Sequence, residues 1–191
     1  MSDSTTLSFR PLTPDLWTDF ERLFGPRGAC AGCWCTFWKL RGKVYEENTG
    51  EPARQMQKSL VESGTVPGLL AFHDDEPVGW IAVEPRSAYA KLAHSRILKQ
   101  VDNAGAWSVT CFFVAKQARR QGLTVALLKA AVEYVREQGG KIIEGYPVDA
   151  DRDLPDVFIY HGTVAAFHKA GFVEVARRSE TRPIMRFFIG D

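Results

Sequence analysis

The sequence predicts an α/β (α+β) fold in which one mixed sheet of about seven strands carries helices on both faces. Two observations predict it. β-branched and aromatic runs alternate with amphipathic segments in the order β, α, α, β, β, β, α, β, α, β, β, and Gly or Pro punctuates almost every junction. The 191 residues are 45% hydrophobic and 12% aromatic, enough for a single domain over 1–191 with one sizeable core. Lys and Arg total 24 against 23 for Asp and Glu, so no global field favours nucleic acid or an acidic membrane surface. No run approaches the roughly 18 apolar residues of a membrane span, and "MSDSTTLSFRPL" lacks the layout of a signal peptide, so a cytoplasmic protein is expected.

Each element has its own signature. "LSFRPL" from Leu7 alternates like a strand, and Thr13 followed by Pro14 caps a helix that runs to about Phe24, where Gly25-Pro26 stops it. "GPRGACAGCWCTFWKLRGK" reads as a loop, and Glu51 to Ser63 as a second helix ended by Gly64. "GLLAFHDDEPVGWIAVEP" is a hairpin turning at Asp74-Asp75. Ala88 to Lys99 has weak helical character. "WSVTCFFV" is a buried strand, and Val125 to Gln138 a helix broken by Gly139-Gly140. "KIIEGYPV" is the next strand. An acidic connection with Asp149, Asp151, Asp153 and Asp156 follows, either a solvated loop or an attractor for a cationic substrate. A helix from about Thr163 to Ala170 ends at Gly171, and "FVEVARR" with "PIMRFFI" forms a closing antiparallel pair.

The junction "ARRQGLT" carries the first functional signal. The first N–H groups of a helix have no internal partners and the macrodipole adds positive potential, so phosphate oxygens bind there. Gly122 lets a phosphate approach the backbone without a Cβ in the way, and Arg119 and Arg120 add charge at the rim. In isolation the same turn suits a solvated loop before a capped helix.

Context decides between them. The succession of strand, "RRQGLT", long helix, strand and "AAFHKAGF" resembles the GNAT acetyltransferase superfamily, as do "FRPLTPDLWTDFERLF" and "EPVGWIAV". The family pattern, Arg or Gln, two residues, Gly, one residue, Gly or Ala, is met by Arg119, Gly122 and, less closely, Thr124. The resemblance implies a mostly antiparallel sheet and acetyl coenzyme A as donor. Its pyrophosphate is expected on the N–H groups of Arg120, Gln121, Gly122, Leu123, Thr124 and Val125, with the pantetheine arm along Phe112, Phe113 and Val114. Thr163 and Phe167 are expected to contact the cofactor.

Acetyl transfer to an amine requires a base, a stabilised oxyanion and a proton for the leaving thiolate. The tyrosine that often gives this proton in the superfamily corresponds here to Phe167, which has none to give. Tyr146 at a strand end and Tyr160 before the last helix are the substitute acids, with His161, His168 and Thr163 as further polar neighbours. Glu84 and Asp149 stand at strand ends as candidate bases, Glu84 preferred, and a water relay is equally open.

Cys30, Cys33 and Cys35 follow a C-x2-C-x-C spacing. A closed zinc site wants a fourth ligand, and Cys111 lies on a buried strand, so packed thiols beneath Trp34, Phe37 and Trp38 are expected and no metal. In the GNAT fold this loop walls the acceptor side, which assigns Trp34 and Trp38 to substrate binding. Cys111 shows no His partner nearby in sequence, so direct attack in a ternary complex is preferred over a cysteine-linked acetyl enzyme. The reading is an N-acetyltransferase acting on a primary amine of a small molecule or peptide, with a possible homodimer. An acyl coenzyme A sensor or partner-binding module is the alternative, and a zinc-stabilised interaction protein the third.

Overall fold

A computed structural model describes residues 6–149 and 160–190 of the chain. Seven strands, β1 (Leu7–Pro11), β2 (Gly68–His73), β3 (Glu76–Pro85), β4 (Trp107–Val114), β5 (Ile142–Gly145), β6 (Val173–Arg177) and β7 (Pro183–Phe188), form one sheet. Their spatial order is β1-β2-β3-β4-β5-β7-β6. β4 and β5 run parallel and every other neighbouring pair is antiparallel. The helices are α1 (Trp17–Phe24), α2 (Gly42–Glu47), α3 (Glu51–Glu62), α4 (Ala90–Ala93), α5 (Leu123–Glu137) and α6 (Val164–Lys169).

The central strands read as unbroken apolar runs because both of their faces are covered. Along β2, Leu69 and Ala71 enter the core under α5, whereas Leu70 and Phe72 enter the core under α1. α5 supplies Leu123, Leu127, Leu128, Ala131, Val132 and Val135 to the first core, a stripe at helical spacing. α1 supplies Trp17, Phe20, Leu23 and Phe24 to the second, where Phe20 meets Trp80 of β3 edge-on at 4.8 Å. Each such side chain contributes about 1.5–3 kcal/mol on burial. Gly79 brings the start of α5 close to the sheet: a Cβ there would meet Leu123 at 2.9 Å and Leu127 at 3.3 Å.

Two irregularities of β4 shape what lies above it. The register shifts between Ala82 and Val83, pairing Ala82 with Cys111 and Val83 with Val109, so Thr110 is the extra residue of a bulge. The bulge reverses the alternation. Val109 and Phe112 both face α5, and Cys111 and Phe113 face α1. β5 pairs with β4 only over Trp107–Val109, after which the two strands part.

Three segments differ from expectation. α5 begins at Leu123 rather than Val125, because Gly122 at φ +78° turns the chain into the helix. β5 stops at Gly145, short of Tyr146 and Pro147. The stretch after β3 holds only a 3-10 turn at Arg86–Ala88 and the four-residue α4. Side-chain bonds secure it in place of a long helix: Arg86 donates to the carbonyls of Leu92 at 3.2 Å and Leu98 at 2.8 Å.

Candidate active site

A cavity of about 880 Å³ opens where β4 and β5 part. One end of it is the turn between β4 and α5. Arg120 at φ +61° and Gly122 at φ +78° both occupy the left-handed region, curling the backbone so that N–H groups converge. Leu123 and Thr124 open α5, and as first-turn residues they have no carbonyl one turn back to bind. Val125 does not share this freedom, because its N–H returns to the Gly122 carbonyl at 3.0 Å. Arg119, Arg120, Gly122, Leu123, Thr124 and Val125 all line the cavity. Gln121 is turned outward, its amide donating to the Gln117 carbonyl at 2.8 Å.

Phe112, Phe113 and Val114 line the next stretch. The Phe112 N–H is already taken by the Tyr160 carbonyl at 2.6 Å. That bond shows which way the strand faces: by alternation the Phe112 carbonyl and the Val114 N–H point toward the gap left by β5. Arg119 binds the Val114 carbonyl through Nε at 3.0 Å and so ties the turn before α5 to the strand. Thr163 lines the same region, with Oγ1 accepting from the Ala166 N–H at 3.3 Å as the cap of α6.

The other end is built from side chains distant in sequence. Phe37, Trp38, Tyr45 and Tyr160 line it, and so do all four cysteines, Cys30, Cys33, Cys35 and Cys111. Phe37 meets Tyr45 at 5.1 Å and Tyr160 at 6.4 Å, edge to face in both cases. The Lys91 ammonium sits 3.1 Å from the Phe37 ring centre and 4.6 Å from that of Tyr45. These rings therefore already hold an alkylammonium. Burial pushes the Tyr160 phenol well up from its ordinary value and the Tyr45 phenol up to about 12, so both keep their protons at neutral pH. The charged side chains among the described lining residues are Arg119, Arg120 and Lys169, all cations.

Several expected site residues lie elsewhere. Tyr146 is 1% exposed and outside the cavity wall; its hydroxyl bonds Arg86 at 2.6 Å, Ser108 at 2.8 Å and Glu144 at 2.8 Å. It packs a buried polar network with Arg186, which pairs with Glu144 at 2.7 Å, instead of facing the cleft. Glu84 is buried and locked in an ion pair with Lys39. Asp149 pairs with Arg177 at 2.7 Å, and Asp151, Asp153 and Asp156 lie outside the described residues. Trp34 stacks on Phe24 at 5.7 Å within the α1 core, whereas Trp38 does line the cavity. Phe167 is fully buried, fills the space above Gly145 that a Cβ would claim, and does not reach the described lining.

His161 stacks on Tyr160 at 3.7 Å and bonds the bulge carbonyl of Thr110 at 3.2 Å. Burial, then Arg182, lowers its pKa to about 3, which leaves it neutral and structural. His168 bonds the Phe172 carbonyl at 3.2 Å, away from the cavity. Tyr45, Lys91 and Lys169 were missed by the sequence reading, as was α2, which carries Tyr45; its only signal is the sequence "KVYEEN" after a loop. Among the described residues, no three His, Cys, Asp or Glu side chains converge as metal ligands, and no helix is long and apolar enough to cross a membrane.

Comparison with known proteins agrees with this geometry. Residues 32–161 match the model of the Acetyltransferase (GNAT) family. An acetyltransferase of the GNAT family from Streptococcus agalactiae superposes with a TM-score of 0.58 at 14% identity, covering 97% of this chain and 96% of that one. One from Streptococcus pneumoniae gives 0.54 at 16% identity, over 97% and 100% of the two chains. Arabidopsis thaliana NAA60 in complex with acetyl-CoA gives 0.52 at 15%, over 96% and 100%. At these identities the likeness establishes the fold. No curated protein sequence matches the chain.

Proposed function

The chain belongs to the GNAT acetyltransferase family, with acetyl coenzyme A as its donor, and from that premise we propose that it acetylates a primary amine by direct attack in a ternary complex. The observation that carries the proposal is that one cavity has two chemically different ends. The donor end offers main-chain N–H groups and arginines, and the acceptor end offers rings that bind an ammonium. Bound donor supplies an activated acyl carbon in a thioester.

The residues divide the remaining work. Leu123 and Thr124 N–H groups with Arg119 and Arg120 hold pyrophosphate, and the Phe112 carbonyl and Val114 N–H pair with the pantetheine amides. Phe37, Tyr45 and Trp38 wall the alkyl chain of the acceptor, with Lys91 already seated on the Phe37 and Tyr45 rings. Tyr160, protonated and lining the cavity, gives its proton to the departing thiolate in place of the absent tyrosine at position 167. The four free thiols suit a reducing, cytoplasmic setting.

Titration calorimetry with acetyl coenzyme A and thiol release across a panel of primary alkylamines test this reading. Saturable binding with amine-dependent release is expected, and Tyr160→Phe should lower kcat about 10- to 100-fold with donor affinity unchanged. Binding without release from any amine would instead support the acyl coenzyme A sensor, and no binding would remove both.

A further inference from the structure

Phe37 and Trp38 wall two spaces. Besides the cavity they line a second hollow, of about 390 Å³, whose polar lining is Arg41, Lys91, His94 and Ser95. No Asp or Glu is among the described lining residues of either space.

The place for a cation on these rings is already filled. The Lys91 ammonium sits 3.1 Å from the Phe37 ring centre and 4.6 Å from that of Tyr45. Ring faces attract an ammonium without neutralising it, so positive charge remains at the wall of the hollow. Lys91 makes no ion pair among the described residues, and neither does Arg41, which is exposed. The hollow offers two cations and no counter-ion.

We propose that this second hollow binds a carboxylate of the acceptor, which makes the substrate an amine with a carboxylate at the far end of its alkyl chain. This assignment rests on the N-acetyltransferase reading above and narrows its acceptor class. The reacting amine must meet the acyl carbon beside β4, on the cavity side of Phe37 and Trp38, whereas Arg41 and Lys91 line the other side. In an α-amino acid, nitrogen and carboxylate carbon stand only about 2.5 Å apart, less than one van der Waals contact of about 3.5–4 Å with a ring face. Such a molecule cannot serve both sides of an aromatic wall. An ω-amino acid can, its methylenes lying along the rings.

The hollow is built on anchored segments. The Lys91 N–H bonds the Trp38 carbonyl at 3.1 Å, which fastens α4 to the loop carrying Phe37. Arg86 holds the carbonyls of Leu92 at 3.2 Å and Leu98 at 2.8 Å, on either side of His94 and Ser95. Donors remain for a ligand. Ser95 Oγ accepts the Leu98 N–H at 3.0 Å, so its own hydroxyl proton is left to donate. His94 donates from Nδ1 to the Ala90 carbonyl at 2.9 Å, so Nε2 adds a donor when the ring is protonated. Arg41 brings a planar fork that matches a carboxylate. A diamine would instead set a second ammonium against Lys91 and Arg41, with no described acid in the lining to receive it.

The test measures kcat/KM on the intact protein with acetyl coenzyme A and amines matched in carbon count: 4-aminobutyrate with butylamine, 6-aminohexanoate with hexylamine, and 1,6-diaminohexane. The better ω-amino acid should exceed its alkylamine partner about 30-fold, chiefly through KM, and the diamine should be the slowest of the set. Arg41→Ala and Lys91→Met should each lower that ratio about 10-fold. A ratio near one in the wild type overturns the proposal, as does a ratio that Arg41→Ala leaves unchanged, or a diamine that outruns both ω-amino acids. Should Lys91→Met fail to fold, Arg41→Ala decides alone, since it truncates an exposed side chain. A wild type that binds no acetyl coenzyme A sinks the function reading as well, whereas equal turnover of amino acid and alkylamine sinks this assignment only.

Discussion

At the donor end of the cavity the ligand-facing groups are main-chain N–H and C=O, set by one contiguous stretch from Phe112 to Val125. At the acceptor end they are side chains from positions 30, 33, 35, 37, 38, 45, 111 and 160, brought together by the tertiary fold. A backbone site depends on φ and ψ, which a glycine and a helix start prescribe locally. A side-chain site depends on packing, and its members serve the core as much as the ligand. The two ends should therefore respond to mutation in different currencies: affinity at the donor end, stability and turnover at the acceptor end.

Trp34→Ala against Trp38→Ala is the strongest contrast, since only Trp38 belongs to the cavity wall. Trp34 is 2% exposed and packed among Phe20 and Phe24, so its truncation should cost about 3–5 kcal/mol in urea unfolding. Trp38 lines the cavity, and its truncation should act mainly on acceptor turnover. Equal stability losses would break the division of labour between the two rings.

Gly122→Val addresses the donor end. An added Cβ meets no protein atom within 4 Å, so it would project into open space, where the proposed phosphate would approach. Calorimetry should show acetyl coenzyme A binding weakened about 100-fold. The φ of +78° adds a folding cost of about 1–2 kcal/mol that the sequence does not reveal. Gly122→Asn separates the two effects, because Asn tolerates left-handed backbone yet still carries a Cβ. Wild-type affinity in that variant would mean the phosphate does not approach there.

His161 supports the acceptor wall from behind Tyr160, and pH reports on it. Its folded pKa of about 3 lies below the ordinary 6.5, so beneath pH 6.5 the unfolded chain takes up a proton that the native ring refuses. This term is fully favourable above pH 6.5 and is lost as pH falls toward 3. The stability lost through this ring by pH 5 should be about 2 kcal/mol. Comparing denaturation midpoints at pH 7 and 5 for wild type and His161→Gln isolates it; parallel pH slopes would refute the assignment.

The same contrast explains what could be read in the sequence. The succession of strands along the chain, the hairpin at Asp74 and the Gly122 turn follow from local patterns, and the structure contains them. Tyr146 and Glu84 were misread because strand-end position says nothing of a partner's location: Arg86 reaches Tyr146 across 60 residues and Lys39 reaches Glu84 across 45. The face that Cys111 presents was not legible in the sequence, because the bulge at Thr110 reverses the faces of the residues after it. Tyr45 was missed because α2 is a six-residue helix, too short to show a period.

Phe167→Tyr gives the smallest effect and the finest discrimination. If the family's acid were merely missing, restoring a phenol at 167 would raise the rate. The ring, however, is fully buried against Gly145 and edge-on to Phe112 at 6.2 Å and Phe172 at 5.0 Å. A hydroxyl added there enters apolar surroundings and should cost about 1–3 kcal/mol of stability, with no gain in kcat. Tyr160 lines the cavity with its proton in place, and under the proposed assignment a second phenol one layer deeper adds no acid that the reaction needs. A rate gain in Phe167→Tyr would show that the α6 ring reaches the reacting atoms after all, and would move the acid from the wall of the cavity to its floor.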